Sequence, residues 1–134
     1  MKSRRNLFGF ATAFLLGVFG KAQTPARAGA KELARHALTG PQAGMEAILV
    51  EVTALPGDPS IVHRHPGFVL GYVLDGELQF AINAGKPEMV RTGDTFFEPL
   101  GALHTSGASA KPDAPVKFLA FLVAPKGSSV VLPA

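Results

Sequence analysis

Two of the four histidines in this chain stand one residue apart, in the stretch Ser60-Ile61-Val62-His63-Arg64-His65. Successive side chains of a strand point to opposite faces, so His63 and His65 share one face and Arg64 takes the other. Two imidazoles on one face can hold one metal ion, and a third ligand must then come from elsewhere. His104 is the candidate, just beyond the turn Pro99-Leu100-Gly101. His36 lies in a polar stretch nearer the N-terminus and reads as a surface residue. Pro66-Gly67 follows the histidine pair, and then the apolar run "FVLGYVL", which contains no carboxylate. Three neutral imidazoles leave the charge of an ion uncompensated, unlike two imidazoles with a carboxylate. They leave coordination positions open for water, substrate or oxygen, and a catalytic zinc can use the same set.

The elements that must position these residues read as short strands. "EAILVEVTAL" is rich in Ile, Leu and Val and ends at Pro56-Gly57. "SIVHRH" is closed by Pro66-Gly67. "FVLGYVL", Asp75-Gly76 and "ELQFAIN" predict a tight hairpin, because Asp-Gly supplies the positive φ that such a turn needs. "EMVR", "TFFE" and "ALHT" follow, divided by the turns "AGKP", "TGD" and "PLG". "VKFLAFLVA" reads as a buried strand, "SSVVLP" as a final edge strand and "KELARHAL" as a short helix. Strands at this spacing, with turn residues between them, argue an all-β sandwich or small barrel of about eight to ten strands. The single tyrosine, Tyr72, and Phe68, Phe80, Phe96, Phe97, Phe118 and Phe121 read as core and cavity wall, with Gln79 at the barrel mouth.

The formal net charge of +3 misleads. Lys2, Arg4, Arg5, Lys21 and Arg27 crowd the N-terminal segment, which holds no acid, and the rest of the chain carries more acids than bases. The body therefore lacks the basic balance expected of a nucleic-acid-binding domain. The N-terminal segment reads as a signal peptide over 1–28. "MKSRRN" is its positive start and "LFGFATAFLLGVF" its apolar run, with cleavage after Ala28 and with Ala22 and Ala30 as rivals. "SRRNLF" resembles the twin-arginine export motif, with two apolar residues in swapped order, Leu7 and Phe8. The apolar run is short for a membrane span, so no stable insertion is expected after cleavage, and the mature protein is expected in the periplasm or secreted. There is no cysteine, which excludes disulfides, thiolate metal sites, a cysteine nucleophile and a cysteine-anchored lipoprotein.

The spacing of the histidines and glycines resembles the two motifs of the cupin superfamily. In the first, Gly57, His63, His65 and Gly76 stand in their expected places and Val69 replaces the glutamate ligand. In the second, Gly93, Pro99, Gly101 and His104 match and Ala108 replaces an asparagine. The resemblance implies a jelly-roll barrel, the double-stranded β-helix; the barrel domain is expected over 45–134, after the signal peptide at 1–28 and an N-terminal extension at 29–44. It implies a divalent metal ion (iron, manganese, nickel, copper or zinc) on His63, His65 and His104. It further implies a homodimer joined through sheet edges or exchanged terminal strands.

Glu98 is the candidate to replace the missing carboxylate. The family usually carries an apolar residue there, facing the barrel interior. An inward carboxylate without a partner is costly to keep ionised, and a nearby divalent cation removes that cost. An inward Glu98 would be a fourth metal ligand or a general base; an outward one would pair with Arg64 or Arg91. Phe96 and Phe97 are apolar on both faces, so periodicity leaves both directions open. Three functions remain. One is a metal-dependent enzyme acting on a small carbonyl or aromatic compound, dioxygenase-like by the family resemblance, with a non-redox lyase, isomerase or hydrolase equally compatible. The second is a small-ligand-binding module with the metal as anchor. The third is a metal-free scaffold with remnant histidines.

Overall fold

The computed structural model describes residues 26–134. Up to residue 25, the leader expected over 1–28 lies outside the described residues. The strands are β1 (Gly29–Ala37), β2 (Met45–Ala54), β3 (His63–Arg64), β4 (Phe68–Asp75) and β5 (Glu77–Ile82). They continue as β6 (Glu88–Arg91), β7 (Thr95–Glu98), β8 (Leu103–Ser109), β9 (Val116–Pro125) and β10 (Leu132–Pro133). They form two five-stranded sheets, ordered β1-β2-β9-β4-β7 and β10-β3-β8-β5-β6. Every pairing between neighbours is antiparallel.

Alternation dictates which side of each strand enters the core. In β9, Val116, Phe118, Ala120, Leu122 and Ala124 are buried while the residues between them are half-buried. This strand is paired along both edges, with β2 and with β4. Ile48, Val69, Val73, Leu78, Val116 and Leu122 are fully buried between the sheets. Each such side chain contributes about 1.5–3 kcal/mol by leaving water.

Residues 31–38 are not a helix. They belong mostly to β1, which pairs along β2 from Gly29 opposite Thr53 to Ala37 opposite Glu46, with a bulge between Glu32 and Ala34. Sheet pairing overrides the helical propensity of Lys31, Glu32, Leu33, Ala34 and Arg35. Cross-strand chemistry reinforces it, since Arg35 Nη1 donates to Glu46 Oε2 at 2.7 Å.

The expected hairpin at Asp75-Gly76 also does not form. β4 pairs with β7 and β9, whereas β5 pairs with β6 and β8, so the chain changes sheets at this corner. Gly76 takes φ 90° there, and a Cβ on it would lie 2.5 Å from the carbonyl oxygen of Pro115. The glycine serves a crowded sheet-to-sheet corner instead of a two-residue turn.

The aromatic residues divide between the two faces. Phe80, Phe96 and Phe118 pack inside, with ring centroids 4.7 and 5.6 Å apart along that series. Tyr72 and Phe97 face outward, 45% and 52% exposed, and Phe68 is also exposed. Gln79 is exposed rather than at the cavity. Gly71 explains the register of β4: it lies opposite Phe96, whose ring fills the place of a Cβ to within 2.0 Å. That contact sends Val69, Gly71 and Val73 inward and Leu70 and Tyr72 outward.

Candidate metal centre

β3 and β8 lie side by side with His63 directly opposite His104. His65 follows two residues after His63 on the same face. The structure thus brings the three histidines together, with one candidate ligand atom from each lying within 4.8 Å of the others. His36 is exposed on β1 and takes no part.

The outer nitrogen of each ring is held by the main chain. His63 Nδ1 donates to Ile61 O, His65 Nδ1 to Val130 O and His104 Nε2 to Ser106 O, each at 2.7 Å. A neutral imidazole carries one N–H, so these bonds leave the inner nitrogens as lone pairs. His63 Nε2 lies 3.0 Å from His65 Nε2 and 3.3 Å from His104 Nδ1. Three acceptors therefore face one another with no proton between them. Protonating His104 or His65 would relieve this, but burial pushes His104 down to about 4 and lowers His65 as well. A divalent cation relieves it directly. Nitrogens each about 2.0–2.1 Å from one ion are themselves about 3 Å apart when they sit at adjacent positions around it.

Glu98 enters from the opposite sheet, on β7, and is 3% exposed. Its Oε1 lies 3.5 Å from His104 Nδ1 and its Oε2 lies 3.6 Å from His65 Nε2. Oε2 is the one buried side-chain polar atom among the described residues without a hydrogen-bond partner. Burial raises the carboxyl to about 7. Neither outward alternative is realised: the Arg64 guanidinium donates to the Gly101 carbonyl and Arg91 lies near Glu77. Glu98 is instead the register partner of Val69, and both side chains are buried. Directly opposed Cβ atoms are about 4.5–5.5 Å apart. The carboxylate missing at position 69 thus stands one strand over. Imidazole nitrogens facing a buried carboxylate fit a divalent first-row ion.

Two parts of the centre escaped the sequence reading. Gly107 in β8 leaves room for the His104 ring, where a Cβ would approach to 2.9 Å. A glycine inside a strand pattern is the sequence signal for such an approach. The carbonyls of Ile61, Ser106 and Val130 carry no side-chain signature at all.

A cavity of about 310 Å³ opens on the centre. Val50, Val52, Ile61, Phe118, Ala120 and Val130 form much of its wall, and no lysine or arginine lines it among the described residues. Ser60 also lines it; its Oγ accepts the Gly107 N–H at 3.3 Å, which leaves the hydroxyl proton free to donate.

The cupin domain family matches residues 50–122. No curated protein matches the sequence. Among solved structures, a double-stranded β-helix protein of Klebsiella pneumoniae is similar at 19% identity and TM-score 0.61, covering 84% of this chain and 90% of its own. The DMSP lyase DddQ of Ruegeria pomeroyi is similar at 21% identity and TM-score 0.56, covering 77% of this chain. This chain spans 50% of that lyase's length. The iron(II) protein HppE, solved with its substrate, is similar at 23% identity and TM-score 0.50, covering 57% of this chain and 45% of its own. These likenesses establish the double-stranded β-helix fold.

Proposed function

The chain belongs to the cupin family, and on that premise we propose that it is a metal-dependent enzyme acting on a small oxygen-bearing molecule. His63, His65 and His104 hold the divalent ion, with Glu98 beside it. The observation that carries this reading is the convergence of three unprotonated ring nitrogens on one another, with two of them 3.5–3.6 Å from a buried carboxylate whose Oε2 has no hydrogen-bond partner. The ion would supply Lewis-acid polarisation of a substrate oxygen or, if redox-active, oxygen chemistry.

The chain's own residues supply the rest. Glu98 Oε2 has no hydrogen-bond partner and is free to accept a proton, which suits it to act as a general base beside the ion. The Ser60 hydroxyl can donate to a substrate oxygen. The largely apolar wall favours a hydrocarbon body. With no lysine or arginine on the wall among the described residues, any anionic group of the substrate belongs at the ion. The volume holds on the order of ten waters, hence a molecule of about that many heavy atoms. A small carbonyl or aromatic compound meets these conditions, in a dioxygenase-like or lyase reaction. The fold alone does not choose between them.

A second reading, ligand binding without turnover, draws on the apolar wall and, among the described residues, the lack of another reactive set around the cavity. Export and a homodimer remain part of both readings. The test is product analysis and oxygen uptake with zinc-, iron- and manganese-loaded protein against a panel of small carbonyl and phenolic compounds. Turnover that falls about 100-fold or more in Glu98→Gln supports the enzyme. Saturable binding without product selects the second reading.

A further inference from the structure

Residues 128–134 run beside the histidine cluster, at the edge of the sheet that carries it. Gly127 turns the chain after β9 with φ 80°, and its N–H donates to Glu46 Oε2 at 3.0 Å. The segment then returns to the barrel mouth, where Leu132 and Pro133 pair with Arg64 and His63. Between turn and strand, the Val130 carbonyl accepts the Nδ1–H of His65 at 2.7 Å, across 65 positions of sequence. The Val130 side chain packs against the core, and Val131 lines the cavity.

We propose that residues 128–134 form a strap whose docking is coupled to metal binding. The inference rests on the metal-binding reading above. His65 lies just past the end of β3, so the Val130 carbonyl, not a strand partner, orients its ring. That hydrogen bond places the proton on Nδ1 and leaves Nε2 as the lone pair facing His63. Groups that orient a ligand in this way typically carry 10–100-fold of metal affinity. The strap is weakly held on its own account. Its strand has two residues, and Pro133 brings no N–H to the pairing. An ion that needs His65 in this tautomer therefore favours the docked strap, and by linkage the docked strap favours the ion by the same factor.

The test uses hydrogen exchange on the full chain, with and without saturating Zn²⁺, followed at residues 128–134. It is paired with zinc titration of a variant lacking those residues. Zinc is expected to slow exchange in the strap about tenfold. The deletion is expected to weaken zinc binding by about 10–100-fold. His65→Ala is expected to abolish the zinc-dependent protection of the strap. Two results overturn the proposal: unchanged strap exchange while zinc protects the segments around His63 and His104, or a folded deletion variant that binds zinc as tightly as the full chain. If the deletion fails to fold, exchange on the full chain decides alone. A full chain that binds no zinc overturns the metal reading and the strap with it, which is distinct from a zinc-binding chain with an indifferent strap.

Discussion

Position 98 is where a single residue tests the site. Glu98 and Val69 are register partners, both buried, and only one of them is a carboxylate. Glu98→Val removes the charge that faces the histidines and is expected to weaken Zn²⁺ or Mn²⁺ binding by about 10–100-fold, read by titration calorimetry. Val69→Glu added to that variant returns a carboxylate to the same cavity from the neighbouring strand, and most of the affinity should return. A double variant no better than the single one would show that the charge acts only from position 98. Gly107→Ala is expected to cost about tenfold in metal affinity while leaving the circular dichroism unchanged, because its methyl would meet the His104 ring at 2.9 Å. The histidine trio was legible in the sequence because spacing along strands constrains which side chains share a face. The direction of Glu98 was not, because Phe96 and Phe97 would suit either face. The carbonyls of Ile61, Val130 and Ser106 were invisible for a simpler reason: main-chain acceptors have no residue type.

The strands were legible where one face is buried and the other is not. They were misleading where both faces are apolar, as in β4, whose inward set is Val69, Gly71 and Val73. Gly71→Ala is expected to destabilise by about 1–3 kcal/mol in urea unfolding, since its methyl would fall within 2.0 Å of the Phe96 ring. Leu122→Ala, at a fully buried position of β9, should cost about 2–5 kcal/mol. Tyr72→Phe on the exposed face of β4 should stay within about 0.5 kcal/mol of the parent. Equal losses at Leu122 and Tyr72 would contradict the assigned faces.

β1 shows the other failure of local reading, a helical composition drawn into a sheet edge. The N–H of Gly127 and the Arg35 guanidinium hold the Glu46 carboxyl below its ordinary 4.5, and Arg35 does the same for Glu32. A carboxyl lowered in the folded state contributes stability that is present above its unfolded value and lost as pH falls through the folded one. The melting temperature should therefore drop below about pH 4.5, and Glu46→Gln should flatten that part of the curve. A variant curve parallel to the parent's would contradict the role given to Glu46.

For the whole molecule, the two-sheet roll follows from turn spacing and alternation, but its connectivity does not. A tight Asp-Gly turn and a sheet-to-sheet corner both need positive φ at Gly76, and only the packing of Pro115 against that glycine separates them. The outer face of the first sheet carries Leu49, Phe121, Leu70 and Phe97 side by side on β2, β9, β4 and β7. Composition could not place these residues outside. The same molecule encloses three lone-pair nitrogens and an unpartnered carboxylate oxygen beneath an apolar cavity, an arrangement that a divalent cation completes. The most direct measurement is metal content by mass spectrometry on natively prepared protein, set against His63→Ala and His104→Ala. Near-stoichiometric metal that disappears in both variants is the predicted result. No metal in any preparation, even after reconstitution with zinc, iron or manganese, or metal retained equally in both variants, would contradict the assignment of the centre.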